Sequence, residues 1–241
     1  MKLSFCTTCK ERLWQLCQTF PANLEAVRAD GCSEIVLVNY NSNDGLDDWI
    51  RQFLPEIKSG LLRYIHEQSQ PHFHASRAKN LAHFAATGEY VISLDGDNFI
   101  GETITVWRQI WNNHRDALIH GFCGEFGDGT YGRIGLPRNR FLVLGGYDES
   151  FLPFGHQDRD LIARGRALGL RLFRVKQNGV AALKNSVDEK IKYSGSKYSY
   201  RQMLQLNSVR LRNNSRAGRL KVNRKRKAVK VLLNFSNAIA L

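Results

Sequence analysis

Cysteines and long apolar runs are scarce in this sequence, and acidic side chains all but vanish from residues 184–241. Five cysteines in 241 residues (Cys6, Cys9, Cys17, Cys32 and Cys123) are an odd number, with no pair of CxxC motifs and no nearby Cys/His set. That argues against a disulfide framework or a structural zinc site and reads as reduced thiols. No uncharged apolar run approaches the roughly 18 residues of a membrane span. Lys10, Glu11 and Arg12 interrupt the opening Met-Lys-Leu-Ser-Phe-Cys before any apolar region of signal-peptide length. The expectation is a cytoplasmic protein. With 43% hydrophobic and 24% charged residues the chain can bury a substantial core as one domain, which excludes wholesale disorder, collagen and coiled-coil arrays.

Residues 1–183 hold 20 Lys/Arg against 20 Asp/Glu, whereas residues 184–241 hold 15 against only Asp188 and Glu189. The entire net charge of +13 therefore lies in the C-terminal segment, a basic tail on a neutral body.

Apolar spacing alternates between short β-like runs and helical stripes, which predicts an α/β architecture with a mostly parallel sheet between helices. Leu3–Thr7 reads as a first strand. Leu13, Leu16, Cys17 and Phe20 then mark a helix that starts near Glu11 and ends near Pro21. Glu34–Asn39 is a second strand, followed by a polar turn at 41–45 and a helix carrying Leu46, Trp49, Ile50, Phe53 and Leu54. Leu61–His66 is a third strand, Ala78 to Ala85 a helix, and Tyr90–Leu94 a fourth strand. A helix around Trp107 and Trp111, a strand at Ala117–Cys123 and a glycine-rich stretch at 121–155 follow, the last read as loops around a site. A helix at Gln157–Leu168, a strand at Arg171–Val175 and an amphipathic helix at Tyr198–Leu211 complete the pattern, with 212–230 expected to be mobile.

Three motifs could carry chemistry. Asp95-Gly96-Asp97 puts two carboxylates at the end of an apolar strand, where ligands of open α/β sheets bind. Two such acids repel unless a cation joins them, which suits Mg²⁺ or Mn²⁺ carrying a diphosphate; the plain reading is a β-turn opened by Asp. In Gly155-His156-Gln157-Asp158-Arg159-Asp160, Asp158 either acts as a general base or, with Asp160, caps a helix. Arg77 and Asn80 lie three residues apart on a helix, able to hold a phosphate or simply forming a solvated face. Asp44 either binds a base or ribose or caps the helix after Gly45, and Thr7, Thr8 and Arg12 carry the same ambiguity. All of these fall at strand ends or helix starts and converge on one crevice.

Ser4 to Lys10 with Arg12, Val38 to Asp44, and Leu94-Asp95-Gly96-Asp97 resemble the nucleotide-sugar glycosyltransferases of the GT-A fold, family 2, with their DxD motif. Arg77-Ala78-Lys79, Gly145 to Glu149 and Gly155 to Asp160 are similar to the C-terminal part of β-1,4-galactosyltransferases and polypeptide GalNAc-transferases. The resemblance covers roughly residues 3–175. It implies a GT-A domain at 1–183, with a donor half at about 1–100 and an acceptor and catalytic half at 101–183, followed by a basic helical extension at 184–241. It also implies inverting transfer from a UDP-hexose or UDP-HexNAc to a hydroxyl of a glycan or lipid-linked glycan. Asp158 would be the base, Asp97 with Asp95 would hold Mn²⁺ or Mg²⁺, and Thr7, Arg12, Asn39, Asp44, Arg77, Asn80 and Asp95 would bind the donor. Gly146, Tyr147 and Gln157 would face the acceptor. The last histidine is His156; where the family places a later histidine ligand, this chain reads Ala182 to Ser186, which implies either weak metal binding or Lys184 replacing part of the cation's charge, and leaves metal dependence open.

The basic run Arg224-Lys225-Arg226-Lys227 precedes an uncharged apolar end from Val231, which suggests peripheral attachment to an anionic membrane on its cytoplasmic face. Nucleic-acid binding is disfavoured, because beyond Tyr200 the only aromatic is Phe235, outside the basic stretch. A transferase-like protein that binds nucleotide sugars without turning them over is the non-enzymatic alternative.

Overall fold

A computed structural model describes residues 1–122, 129–176, 182–235 and 237–241. Cys123 and the middle of the glycine-rich stretch lie outside these residues. Among the described residues nine strands form one mixed sheet in the order β7-β5-β6-β4-β1-β2-β3-β8-β9. Its centre is parallel, as expected: β1 (Leu3–Cys9), β2 (Glu34–Tyr40), β3 (Leu62–Glu67) and β4 (Tyr90–Ser93) all run the same way. Side chains alternate across it. Phe5, Ile35, Leu37 and Ile92 pack against α1 (Leu13–Asp30), α2 (Leu46–Ile50), α3 (Leu54–Ser59) and α5 (Thr103–Asn113). Cys6, Val36, Val38 and Val91 face α4 (Ala75–Ala85), α6 (Arg138–Leu144) and α7 (Gln157–Ala167). Both faces are covered, which explains the unbroken apolar runs.

Several elements differ from the expected pattern. α1 does not stop at Pro21 but continues to Asp30, where Gly31 caps it with φ 72°. An interior proline costs about 3 kcal/mol, and burying Leu24 and Val27 on the same stripe returns roughly 1.5–3 kcal/mol each. Cys17 faces solvent instead of that stripe, and the described cysteines are all unpaired. The helix expected after the 41–45 turn is divided into α2, a 3₁₀ turn at Arg51–Phe53 and α3, because Pro55 lacks the N–H a continuous helix would need.

Within the glycine-rich stretch, β6 (Ile134–Pro137) pairs antiparallel to both β4 and β5 (Ala117–Phe122), while β7 (Arg171–Lys176) runs parallel to β5. The C-terminal segment holds a short helix α8 (Val187–Ile191), α9 (Tyr200–Arg216) and a hairpin of β8 (Lys230–Leu233) and β9 (Asn237–Ala240). β8 pairs antiparallel to β3, so the apolar end expected at a membrane is used in the sheet, with Val231 buried. Residues 212–230, expected to be mobile, are anchored: Val222 donates its N–H to Leu144 O at 3.1 Å, and Arg226 pairs with Glu149 at 2.8 Å.

Candidate active site

A cavity of about 380 Å³ opens at the carboxyl ends of β1 and β4. One wall is polar, with Thr8, Lys10, Arg12, Lys79, Asp95 and Asp97; the facing wall carries Phe73, Phe154, Tyr193, Tyr200 and Leu204, with Gln157 and Asp158 between. Asp95 does open a β-turn, its carbonyl accepting from Asn98 N at 2.9 Å. The turn and the acidic site are the same structure.

Asp97 is nearly buried. Its Oδ1 accepts from Asn98 Nδ2 at 2.6 Å, and its Oδ2 from the Asn185 amide. Burial raises its pKa to about 6, and the neighbouring Asp95 charge adds to the rise. Asn98 is held in turn by Arg133 at 2.9 Å. Among the described residues no group of three His, Cys, Asp or Glu side chains could hold a metal ion. The oxygens that fit a hard cation are those of Asp95 and Asp97; Asn185 turns its amide nitrogen to Asp97, and its oxygen accepts from Gln15 Nε2. Lys184, expected near the metal, is exposed, and its neighbour Asn185 occupies the place beside Asp97.

Asp158 caps nothing. α7 begins after His156, whose φ is 65°, and no side chain caps it. Gly155 precedes with φ 103°, and a Cβ there would lie 2.6 Å from Leu204, so only glycine permits this entry to the helix. The turn directs Asp158 inward, where Lys79 Nζ meets its Oδ1 at 3.2 Å and Asp95 Oδ1 also at 3.2 Å. The two carboxylates thus lie within about 6.4 Å of one another. Burial raises the Asp158 pKa, Lys79 opposes that rise, and Asp95 reinforces it. Burial works against the Lys79 charge too, but Asp158 and Asp95 outweigh it and hold the lysine pKa well above the ordinary value. Asp160, the other candidate cap, is buried against Arg164 at 2.6 Å.

The loop that leads into α7 and Asp158 is fastened by three asparagines from the C-terminal segment, among other contacts. Asn207 donates to the carbonyls of Leu152, Phe154 and Gly155 and accepts from Leu152 N. Asn214 bridges Asp148 and Asp160 at 2.9 and 3.0 Å, and Asn223 donates to the carbonyls of Gly145 and Tyr147. Sequence reading missed these, and also Lys79.

Of the expected site residues, Arg12, Asp95, Asp97, Gln157 and Asp158 line the cavity. Thr7 is buried behind it, and Thr8 takes the lining position. Asn39 is fully buried, donating to Tyr64 Oη at 3.0 Å and Asp47 at 3.1 Å, so it orders the end of β2. Asp44 accepts from Leu13 N at 2.7 Å, which caps α1 and not the helix after Gly45, and leaves its Oδ1 without a protein partner. Arg77 is exposed and lies off the lining. Asn80 is buried, bonded to Tyr147 N and O and to Glu149. Gly146 and Tyr147 lie beneath the site: Gly146 has φ 76° and a Cβ there would strike Asn80, while the Tyr147 ring sits 5.5 Å below Lys79.

A parallel-centred sheet between helices, with a DxD turn and a facing buried acid across one cleft, defines the GT-A glycosyltransferase fold. Solved structures share it. The S. aureus TarS 1–349 fragment in complex with UDP-GlcNAc gives a TM-score of 0.63 at 14% identity, covering 87% of this chain and 66% of that one. PcManGT, a mannosyltransferase from Pyrobaculum calidifontis in complex with GDP-Man and Mn²⁺, gives 0.58 at 15% identity, covering 83% and 59%. A mutant of Drosophila β1,4-galactosyltransferase 7 in complex with manganese, UDP-Gal and xylobiose gives 0.54 at 13%, covering 84% and 78%. The chain thus spans just under two thirds of the TarS fragment and less of the mannosyltransferase. No curated protein matches it in sequence. Residues 6–159, more than half the chain, match the family model of glycosyl transferase family 2, and the chain belongs to that family.

Proposed function

We propose that the protein transfers a sugar, with inversion, from a nucleoside-diphosphate sugar to a hydroxyl of a glycan or lipid-linked glycan. The observation that carries this reading is the placement of Asp158, a buried carboxylate of raised pKa, across the same cavity from the Asp95–Asp97 turn. Asp158 takes the proton from the acceptor hydroxyl as its oxygen bonds to the anomeric carbon. The bond from that carbon to the diphosphate breaks on the opposite face, which inverts the centre. Asp97 and Asp95 would hold a divalent cation, Mn²⁺ or Mg²⁺, whose charge would stabilise the departing diphosphate.

The donor is a UDP-hexose or UDP-HexNAc in this reading. The unpartnered Oδ1 of Asp44, near Cys9 of the lining, suits the imide N–H of uracil. Arg12, anchored to Glu189 O at 2.6 Å, is placed to reach the diphosphate. The aromatic wall of Phe73, Phe154, Tyr193 and Tyr200 offers apolar faces to a pyranose acceptor. Thermal unfolding with UDP, GDP, CDP or a short oligonucleotide, each with and without Mn²⁺, tests the reading. A ligand at 100 times its Kd adds about 2.7 kcal/mol, so a clear UDP shift is expected. An oligonucleotide shift without any nucleotide shift would overturn the reading. Unchanged nucleotide binding with no transfer to any glycan would favour the binding-only alternative.

Among the described residues no helix is long and apolar enough to cross a membrane. The exposed side of α9 carries Arg201, Leu206, Val209, Arg210 and Arg216, and no carboxylate follows Glu189 in the sequence. We place this face on an anionic cytoplasmic membrane surface, beside a lipid-linked acceptor. Co-sedimentation with phosphatidylglycerol vesicles but not phosphatidylcholine vesicles, lost at high salt, is the expected result.

A further inference from the structure

Asp95 and Asp158 share a single ion-pair partner among the described residues, the Lys79 ammonium, at 3.2 Å from each. The lysine comes from α4, whereas Asp95 opens a β-turn and Asp158 stands in the first turn of α7. Its side chain is 8% exposed and it lies over the Tyr147 ring at 5.5 Å. The space is kept open by Gly132, where a Cβ would come within 2.7 Å of Asp95 Oδ2 and 3.0 Å of the ammonium. Of the other cations of the polar wall, Lys10 is engaged by Asn41 O and Glu11, and Arg12, held by Glu189 O, acts on Asp97 and makes no ion pair with Asp95 or Asp158. Three carboxylates without Lys79 would repel a diphosphate; with it, the Asp95–Asp158 pair carries one negative charge fewer.

We propose that Lys79 is a built-in counter-cation, neutralising the Asp95–Asp158 pair so that a nucleoside diphosphate enters the cavity without a divalent metal. The proposal rests on the donor-site reading above and adds that the metal strengthens donor binding but is not its condition. Lys79 acts through the two acids and is a positioning residue.

The test is isothermal titration of the full chain with UDP and with GDP, in EDTA and in Mn²⁺. Wild type is expected to bind one of them in EDTA, and Mn²⁺ to tighten that binding only a few-fold. Lys79→Met should lose about tenfold or more in EDTA, the scale of one charge at this range, and recover most of it in Mn²⁺. In Lys79→Met/Asp158→Asn, which removes one charge of each sign, binding in EDTA should return to near the wild-type value. A purely structural lysine would give neither recovery. Wild-type binding only with Mn²⁺, unchanged binding by Lys79→Met in EDTA, or equal loss with and without Mn²⁺ overturns the proposal. If Lys79→Met does not fold, the double variant decides: near-wild-type binding in EDTA supports the proposal, and weak binding overturns it. Wild type that binds neither nucleotide under either condition removes the donor-site reading itself, a result distinct from all of these.

Discussion

One wall of the cavity is the end of a parallel sheet, where β1, β4 and α4 set Thr8, Arg12, Lys79, Asp95 and Asp97. The facing wall is built by other elements: the loop before α7, residue Tyr193 and the start of α9 supply Phe154, Tyr193, Tyr200 and Leu204, and Asp158 in the first turn of α7 stands between the two walls. The first wall is rigid because its strands are hydrogen-bonded and buried on both faces. The second is held by polar contacts to its loop carbonyls and carboxylates, from Asn207, Asn214 and Asn223 of the C-terminal segment and from His74 and the Ala75 N–H at the start of α4. In the function proposed above, donor chemistry sits on a frame made by local chain order, and acceptor chemistry on one completed by side chains far along the chain.

Four experiments sharpen or break that contrast. Asp158→Asn keeps the shape of the cavity and removes the carboxylate proposed as the base. Transfer should fall by about 10²–10⁴ with nucleotide affinity little changed, measured by product formation and calorimetry; unchanged transfer would exclude Asp158 as the base. Asn214→Ala leaves Asp148 and Asp160 without the amide between them, both carboxylates being buried. Losing two such bonds should cost about 2–4 kcal/mol and lower Tm by roughly 5–15 °C, whereas a Tm change within error would mean the loop holds itself.

The third tests the first wall by pH. Burial holds the Asp97 pKa at about 6, above the ordinary carboxylate value, so the folded protein favours the protonated acid. Its contribution to stability is therefore full below the ordinary value and lost as pH rises through about 6. A cation needs the ionised form. Mn²⁺ affinity should rise about tenfold per pH unit below the Asp97 pKa and level off above it, read by calorimetry; a flat profile would separate the metal from Asp97. The smallest effect is expected from Tyr200→Ala, which should raise acceptor KM roughly fivefold, the worth of about 1 kcal/mol of ring contact, and leave nucleotide Kd unchanged. A change in nucleotide Kd instead would mean the walls are not separate.

The same contrast explains what the sequence disclosed. β1 to β4 and the Asp95–Asp97 turn were legible because each is encoded within a few residues: an apolar run, then a polar break at the strand end. Asp158 was legible as a candidate because Gly155 marks the turn before it. Lys79 was visible as a residue and invisible as a partner, since Asp158 lies 79 residues away in sequence. β6 escaped because Gly135 interrupts its apolar pattern; a Cβ there would collide with Trp107 at 2.5 Å, so the glycine serves packing and not a loop. The Val231–Leu233 run was read by composition, and composition does not tell a sheet edge from a membrane surface. Asn39 and Asn80 looked like ligand residues and are satisfied inside the fold, because asparagine is as useful for ordering loop carbonyls as for binding sugars.

The asparagine clamp also orders events during synthesis. β1 to β4 and the DxD turn can assemble once the first hundred residues or so have emerged, but the loop before α7 gains its full set of bonds only once Asn223 has left the ribosome. In the function proposed above, the wall that would take the donor is shaped by the first elements to emerge, and the wall that would take the acceptor is completed by residues that emerge more than a hundred positions later.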